Sequence, residues 1–234
     1  PKSSVDGPLA AAIPGLPEGL AHLSGRYGKV PLSVSLEPAI RLAREGWVMN
    51  AKTAQVLPWR SEVLFRSPGA RALFSRNGKP VEAGQVLKNP DYARTLERLA
   101  REGRDGFYAG RMARRLVDGV RRAGGIWTLE DLAQYRVVER EPLRFTHRGF
   151  RLVTAPPPSS GGVALAEMLN ILSGYDYPTL RPAVRIHLVV EAMRRAYRDR
   201  AQFLGDPDFV DVPLARMMSP DFAAALRASI HPHR

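Results

Sequence analysis

Two adjacent serines, Ser159 and Ser160, lie between three prolines and two glycines in the segment PPPSSGG, residues 156–162. The prolines restrict the approaching backbone, and the glycines allow another group to come close at the start of a helix. Amides at a helix N-terminus can receive an anion, so Ser159, Ser160, Gly161 and Gly162 are candidates for shaping a small-molecule pocket. A favoured alternative is that Ser160 simply caps the following helix.

Other nucleophile and metal patterns are weak. Neither serine lies in a Gly-x-Ser-x-Gly turn, no histidine is close in sequence, and the chain contains no cysteine. The five histidines lack zinc-site spacing. Asp206, Asp208 and Asp211 could bind Ca²⁺, but the glycine and final glutamate of an EF-hand loop are missing. Turn and capping roles are therefore favoured for these aspartates, and we predict no metal site.

The composition is that of a globular protein with an excess of positive charge. Of 234 residues, 44% are hydrophobic and 25% charged, and the net charge is +12. Thirty of the 35 basic residues are arginine, spread beside Glu and Asp over almost every helical stretch. This pattern favours solvated helix faces over a nucleic-acid surface. No apolar run approaches the roughly 18 residues of a membrane span, and residues 1–4 show no secretory pattern.

Residues 1–135 are predicted to be mainly helical. The spacing of apolar residues and the positions of Gly and Pro predict five helices. They lie near 16–25, around 36–43 with an end at Gly46, over 50–65 with an interruption at Pro58, near 91–102 and near 107–122. The stretch 66–90 is predicted to be mostly loop with short extended pieces. Thr128 and Asp131 form a capping pattern for a short helix that reaches Tyr135.

Residues 136–234 are predicted to hold one β-hairpin and long helices. Strand-favouring runs flank Thr146-His-Arg-Gly149, and we expect this to be the one strand pair of the chain. A helix is predicted over 163–172, and another near 220–229 with Ser219 as its cap. The longest, near 182–203, is expected to pack on the strands. Its predicted apolar face consists of Ile186, Val189, Val190, Met193, Ala196, Tyr197 and Phe203.

The order of short motifs along the chain resembles the large subunit of the γ-glutamyltranspeptidase (γ-glutamyltransferase) family. The motifs include Ala12-Ile-Pro-Gly15, Phe107-Tyr108, Thr128-Leu-Glu-Asp-Leu132 and PPPSSGG, and LGDPDF follows at 204–209. PPPSSGG followed about forty residues later by LGDPDF is far more specific than either string alone. The resemblance runs over almost the whole chain.

This resemblance implies an α+β chain that forms part of an αββα N-terminal-nucleophile (Ntn) hydrolase fold. It implies that residues 1–135 and 136–234 belong to one such domain. In the family, a precursor cuts itself and frees a threonine at the start of a small subunit. That threonine attacks the γ-glutamyl amide of glutathione or a related compound, its own amine acts as base, and water or an amino acid accepts the group. The resemblance implies no cofactor.

The family's processing motif, Thr-Thr-His followed by an aromatic residue, is not found in these 234 residues. Thr146-His147 is the one Thr-His pair, and its position fits the predicted hairpin better. We therefore assign no catalytic residue to this chain, which alone is expected to be inactive. The resemblance implies a complementary small subunit and a γ-glutamyl substrate as partners, no nucleic acid, and a periplasmic or secreted location. Two alternatives remain open: a cephalosporin or glutaryl acylase of the same scaffold, and a non-catalytic binding module.

Overall fold

The structure is a computed structural model that describes residues 2–231, and its backbone contacts divide the chain into two units, Pro1–Val138 and Glu139–Arg234. Both units are dominated by helices, which confirms the predicted α+β, mostly helical character. The predicted assignment of 1–135 and 136–234 to one domain stays a prediction. Among the described residues, none of the helices combines the length and apolar character that crossing a bilayer requires.

The first unit contains eight α-helices within its described residues. They are α1 Leu16–Tyr27, α2 Leu32–Glu45, α3 Ala51–Leu64, α4 Pro68–Phe74, α5 Pro90–Glu102, α6 Asp105–Tyr108, α7 Gly110–Arg122 and α8 Leu129–Gln134. Most of the predicted helices are confirmed by these bounds. Gly46 ends α2 at a φ of 120°, a left-handed value that glycine adopts without strain. The predicted capping of α8 is also confirmed, since Thr128 and Asp131 exchange side-chain to backbone bonds of 3.1 and 2.8 Å.

Three predictions for this unit were wrong. Helix α3 continues through Pro58, because a proline removes a single backbone donor and the buried Leu57 anchors the helix in a local core. The stretch 66–90 contains α4, which Ser67 caps by accepting from the Ala70 amide at 3.4 Å. The helix predicted near 107–122 is broken before Gly110, whose φ is 60°.

The first unit also contains two short antiparallel ladders, whose pairing was not predicted although short extended pieces were expected within 66–90. Strand β1, Trp47–Val48, pairs with β4, Val86–Leu87, while β2, Ser75–Arg76, pairs with β3, Lys79–Pro80. The turn between β2 and β3 is Asn77-Gly78, with a positive φ at both residues, as two-residue hairpins favour. The expectation of a single strand pair in the chain is therefore corrected.

The second unit combines the predicted hairpin with four α-helices among its described residues. Strand β5, Leu143–His147, pairs with β6, Phe150–Thr154, around a turn at Arg148-Gly149. The helices are α9 Gly161–Leu172, α10 Pro182–Phe203, α11 Leu214–Met217 and α12 Pro220–Ala228. Helix α12 is capped by Ser219, which accepts from the Phe222 amide at 3.1 Å, as predicted. The core of the unit is centred on Ile171, Leu188 and Ala223, one from each of α9, α10 and α12.

The predicted apolar face of α10 was largely wrong, although its Ala196 is buried. Helix α10 packs mainly on α9 and not on the strands. Its fully or almost fully buried residues are Leu188, Ala192, Ala196 and Asp199. Exposed positions on the same helix are Ile186, Val190, Met193 and Tyr197. Both sets repeat at three- and four-residue intervals, so periodicity identified a helix but could not identify which of its two sides faces α9.

Candidate functional site

The PPPSSGG segment forms the connection from β6 to α9. After a cis peptide bond between Pro157 and Pro158, the Ser159 amide donates to the Pro156 carbonyl at 3.1 Å. Helix α9 begins at Gly161, two residues earlier than predicted. A Cβ on Gly162 would lie 2.5 Å from Thr154 Cγ2 and 2.6 Å from the Ala155 carbonyl oxygen. The second glycine is therefore required by close packing of the helix on the end of the strand.

The two serines of this segment differ in their surroundings. The Ser160 hydroxyl accepts a hydrogen bond from Arg200 Nε of α10 at 2.8 Å. It makes no capping bond to α9, so the prediction that the Ser160 side chain caps this helix was wrong. Ser159 is exposed, and its hydroxyl bonds to no residue in the range 2–231. The turn thus presents one free hydroxyl beside one held by a guanidinium.

No serine nucleophile with a base is assembled at this turn. Within residues 2–231, neither serine hydroxyl bonds to a histidine, and His187 instead bonds the His231 carbonyl through Nε2 at 2.9 Å. The groups at this turn are suited to binding an anion. An exposed hydroxyl, a nearby guanidinium and the first amides of α9 are all groups that interact favourably with an anion.

The LGDPDF segment is held by an arginine from the start of the second unit. Arg140 pairs with Asp208 at 2.6 Å and with Asp206 at 3.5 Å. Asp206 also accepts the Asp208 amide at 3.1 Å, and its own carbonyl accepts the Phe209 amide at 2.9 Å. The hydrogen bond from Arg140 lowers the pKa of the Asp208 carboxyl. Asp206 therefore has the turn-forming role that the sequence favoured, whereas Asp208 is held in an ion pair with Arg140.

The sequence did not reveal two buried carboxyl groups, one on α9 and one on α10. Glu167 of α9 and Asp199 of α10 are both fully buried. Asp199 Oδ1 accepts from Arg198 Nε at 2.8 Å, whereas Asp199 Oδ2 and both Glu167 oxygens have no donor among the described residues. Burial, and then the charge of the nearby Asp199, raise the pKa of Glu167 to about 7. A single acidic residue in the apolar run of 163–172 was the available signal.

A second missed feature is an arginine that organises the first unit. Arg104 pairs with the nearly buried Glu18 at 3.1 Å and donates to the carbonyls of Ala133 and Tyr135 at 2.8 and 3.0 Å. Its guanidinium lies 5.1 Å from the centre of the Tyr108 ring. The Tyr108 hydroxyl donates to the Pro14 carbonyl and accepts from the Glu18 amide. Several motifs that carry the resemblance therefore serve to position the backbone.

Within residues 2–231, no group of three or more histidine and carboxylate side chains could hold a metal ion. The four predicted pocket residues follow one another in a single turn at the start of α9. Ser159, Ser160, Gly161 and Gly162 remain a prediction.

The fold and the sequence both have close counterparts among known proteins. The crystal structure of Helicobacter pylori gamma-glutamyltranspeptidase matches with a TM-score of 0.95 and 34% identity, covering 100% of this chain and 68% of that chain. A gamma-glutamyltranspeptidase from Pseudomonas nitroreducens, complexed with L-DON, matches with a TM-score of 0.89 and 36% identity, covering 100% and 70%. The architecture is thus that of an Ntn hydrolase, as predicted.

The family model described as Gamma-glutamyltranspeptidase matches residues 1–234. A glutathione hydrolase proenzyme from Pseudomonas sp. (strain A14) is 41% identical over 99% of this chain and 41% of that protein. An acylase ACY 1 proenzyme from Pseudomonas sp. (strain SE83) is 39% identical over 98% and 41%. The chain belongs to the gamma-glutamyltranspeptidase family. It spans about two fifths of the length of these two curated relatives.

Proposed function

We propose that the full-length protein containing this chain is a γ-glutamyltransferase that also acts as a glutathione hydrolase. It transfers the γ-glutamyl group of glutathione, or of a related amide, to water or to an amino acid. The observation that carries this proposal is the match of the γ-glutamyltranspeptidase family over all 234 residues, together with 41% identity to a glutathione hydrolase proenzyme.

In this proposal the nucleophile is a threonine at the start of a small subunit, outside these 234 residues. Its hydroxyl attacks the γ-glutamyl carbonyl while its own amine takes the proton, and water or an amine then resolves the acyl-enzyme. The relative from strain A14 is named a proenzyme, which supports self-processing and a complementary subunit as partner. This chain supplies scaffold and no catalytic residue. We propose no nucleic-acid partner.

We also propose that Ser159, Ser160, Gly161 and Gly162 shape part of the substrate pocket. The exposed Ser159 hydroxyl and the first amides of α9 support a role in binding a carboxylate. In the full-length enzyme, Ser159→Ala should raise KM for glutathione with little change in kcat. Gly69→Ala, at an exposed glycine with open space around it, is the matched surface control. An unchanged KM would contradict the proposal that this turn forms part of the substrate pocket.

A second candidate is an acylase that acts on cephalosporin-type side chains. It is favoured by the 39% identity to an acylase ACY 1 proenzyme, close to the value for the glutathione hydrolase. The decisive experiment incubates the processed full-length protein with glutathione and, separately, with a glutaryl cephalosporin. Release of glutamate with the first and no release of glutarate from the second supports the first proposal. The reverse result supports the acylase, and turnover of neither substrate contradicts both.

We propose a periplasmic or secreted location and the grouping of both structural units in one Ntn-hydrolase domain. The location is supported by membership of the gamma-glutamyltranspeptidase family, whose bacterial members are usually exported. Fractionation of the source cells tests the location, since an exported enzyme should be released with the periplasmic contents or the medium. Recovery with the cytoplasmic fraction would contradict it.

A further inference from the structure

A groove between α5 and α7 is lined by four arginine side chains. Arg94 and Arg98 lie one turn apart on α5, and Arg111 and Arg115 lie one turn apart on α7. Residues four positions apart share one face of a helix, so each helix directs two guanidiniums toward the same cavity. The cavity has a volume of about 250 Å³. We name these four residues and the space between them the arginine groove.

The positive charge of the arginine groove is largely uncompensated. Asp91 is the one acidic residue in its lining, and it pairs with Arg94. Arg98, Arg111 and Arg115 form no ion pair or side-chain hydrogen bond with any residue in the described range 2–231. Four guanidiniums and one carboxylate leave three positive charges. Because unpaired like charges repel each other, the groove favours the binding of an anion.

The apolar part of the groove lining belongs to a packed core. Met112 and Leu116, which follow Arg111 and Arg115 on α7, pack against the core that contains Tyr108 and Leu132. Helix α7 is therefore anchored along the side that bears the groove. Thr95 of α5 adds a hydroxyl to the lining. A polar, strongly positive wall above an apolar floor suits a compact anion with several oxygen atoms.

We propose that the arginine groove binds a small multivalent oxyanion, of the polyphosphate or polycarboxylate class. Arginine presents a planar set of donors that matches both phosphate and carboxylate oxygens in a bidentate manner. The volume favours a small ligand over a polymer. The sequence did not reveal this site, because Arg94, Arg98, Arg111 and Arg115 lie in two separate helices and each helix alone has the appearance of a solvated face.

The test measures binding of pyrophosphate and of citrate to the full-length protein by isothermal titration calorimetry, at constant ionic strength. Wild-type protein should bind at least one of them saturably with one site per chain. The variant Arg111→Gln/Arg115→Gln should weaken that binding about tenfold or more, as expected when charge-assisted bonds are lost. Tighter binding of pyrophosphate assigns a phosphate ligand, and tighter binding of citrate assigns a polycarboxylate.

A matched control is available on the same helix. Arg114→Gln/Arg122→Gln removes the same charge from exposed positions of α7 outside the groove lining. It should change the dissociation constant by less than about twofold, because bulk charge at a distance is screened by salt. Equal weakening by both double variants, or no saturable binding by wild-type protein, would overturn the proposal. The outcome does not depend on whether the protein hydrolyses glutathione.

Discussion

The two structural units bury a glutamate in different ways. In the first unit, Glu18 is nearly buried and is paired with Arg104, a fixed cation that also donates to backbone carbonyls. In the second unit, Glu167 is fully buried beside Asp199, and neither of its oxygens has a donor in the described structure. A buried carboxylate needs either a cation or a proton. In the first unit the cation is Arg104, whereas in the second unit the raised pKa of Glu167 favours its protonated form.

Because of this difference, we expect the stability of the two units to respond to different changes. The pair in the first unit depends on one arginine that links segments 86 residues apart in sequence. The pair in the second unit depends on pH, because burial and Asp199 raise the pKa of Glu167 to about 7. The charged groups that act on Glu167 are Asp199 and Arg198, both from α10, and Arg198 opposes the shift. The following substitutions separate these two cases.

The largest effect is expected for Arg104→Met in the first unit. This change leaves Glu18 without its cation and frees the Ala133 and Tyr135 carbonyls, so it should lower local stability by about 4 kcal/mol. The measurement is hydrogen exchange of the α8 amides in the full-length protein. Arg101→Met is the control, because Arg101 is exposed and its ion pair is with its neighbour Glu102.

A second substitution tests whether the unpaired charge is the cause. If it is, Glu18→Gln combined with Arg104→Met should recover part of the lost protection, because the amide carries no charge to bury. Equal exchange in Arg104→Met and Arg101→Met would show that the pair does not stabilise the unit.

The next effect is the pH dependence that Glu167 confers on the second unit. A carboxyl whose pKa is higher in the folded than in the unfolded state stabilises the fold fully at low pH and loses that contribution as pH rises. Stability should therefore fall between the ordinary glutamate range and pH about 7, by up to about 3 kcal/mol, and then level off. Urea unfolding at several pH values measures the slope of the unfolding free energy against pH.

Glu167→Gln should flatten this slope, since the glutamine amide can donate to Asp199 at every pH. Glu62→Gln is the control, because Glu62 is exposed and pairs with Arg66 at the surface. A slope that persists unchanged in Glu167→Gln would mean that another group titrates.

A smaller effect is expected in the turn before α9, where two adjacent glycines differ. Gly162→Ala should cost about 2 kcal/mol, because the new Cβ meets Thr154 and the Ala155 carbonyl at 2.5 and 2.6 Å. Gly161→Ala should be close to neutral, since the nearest atom would be Ser159 Oγ at 3.9 Å. Melting temperatures of the two variants provide the comparison. Equal shifts would contradict the close packing of α9 on β6.

The smallest effect concerns the serines of the same turn. Ser160→Ala should lower stability by about 1 kcal/mol, because it removes the acceptor of the Arg200 hydrogen bond. Ser159→Ala should leave stability unchanged, since that hydroxyl has no partner within residues 2–231. Thermal unfolding of the two variants measures the difference. A larger loss of stability from Ser159→Ala than from Ser160→Ala would contradict these contacts.

Much of the helical architecture could be predicted because its signals are local. Gly46 ends α2, Thr128 opens α8 and Ser219 opens α12, each through bonds within a few residues. The missed helix α4 had the same kind of signal, a serine followed by proline at 67–68, but the surrounding glycines and prolines favoured a loop. The break before Gly110 was missed because the apolar spacing continues across it.

The order of motifs along the chain was enough to identify the family, and neighbouring residues were enough to predict most helices and the hairpin. The bond of Arg200 to Ser160 across 40 residues, the pairing of Arg104 with Glu18 and the arginine groove became visible in the folded chain. These features differ in the range of the interactions that form them. Caps, turns and periodicity are interactions along the chain, whereas a charge pair or a groove depends on which faces of distant helices pack together.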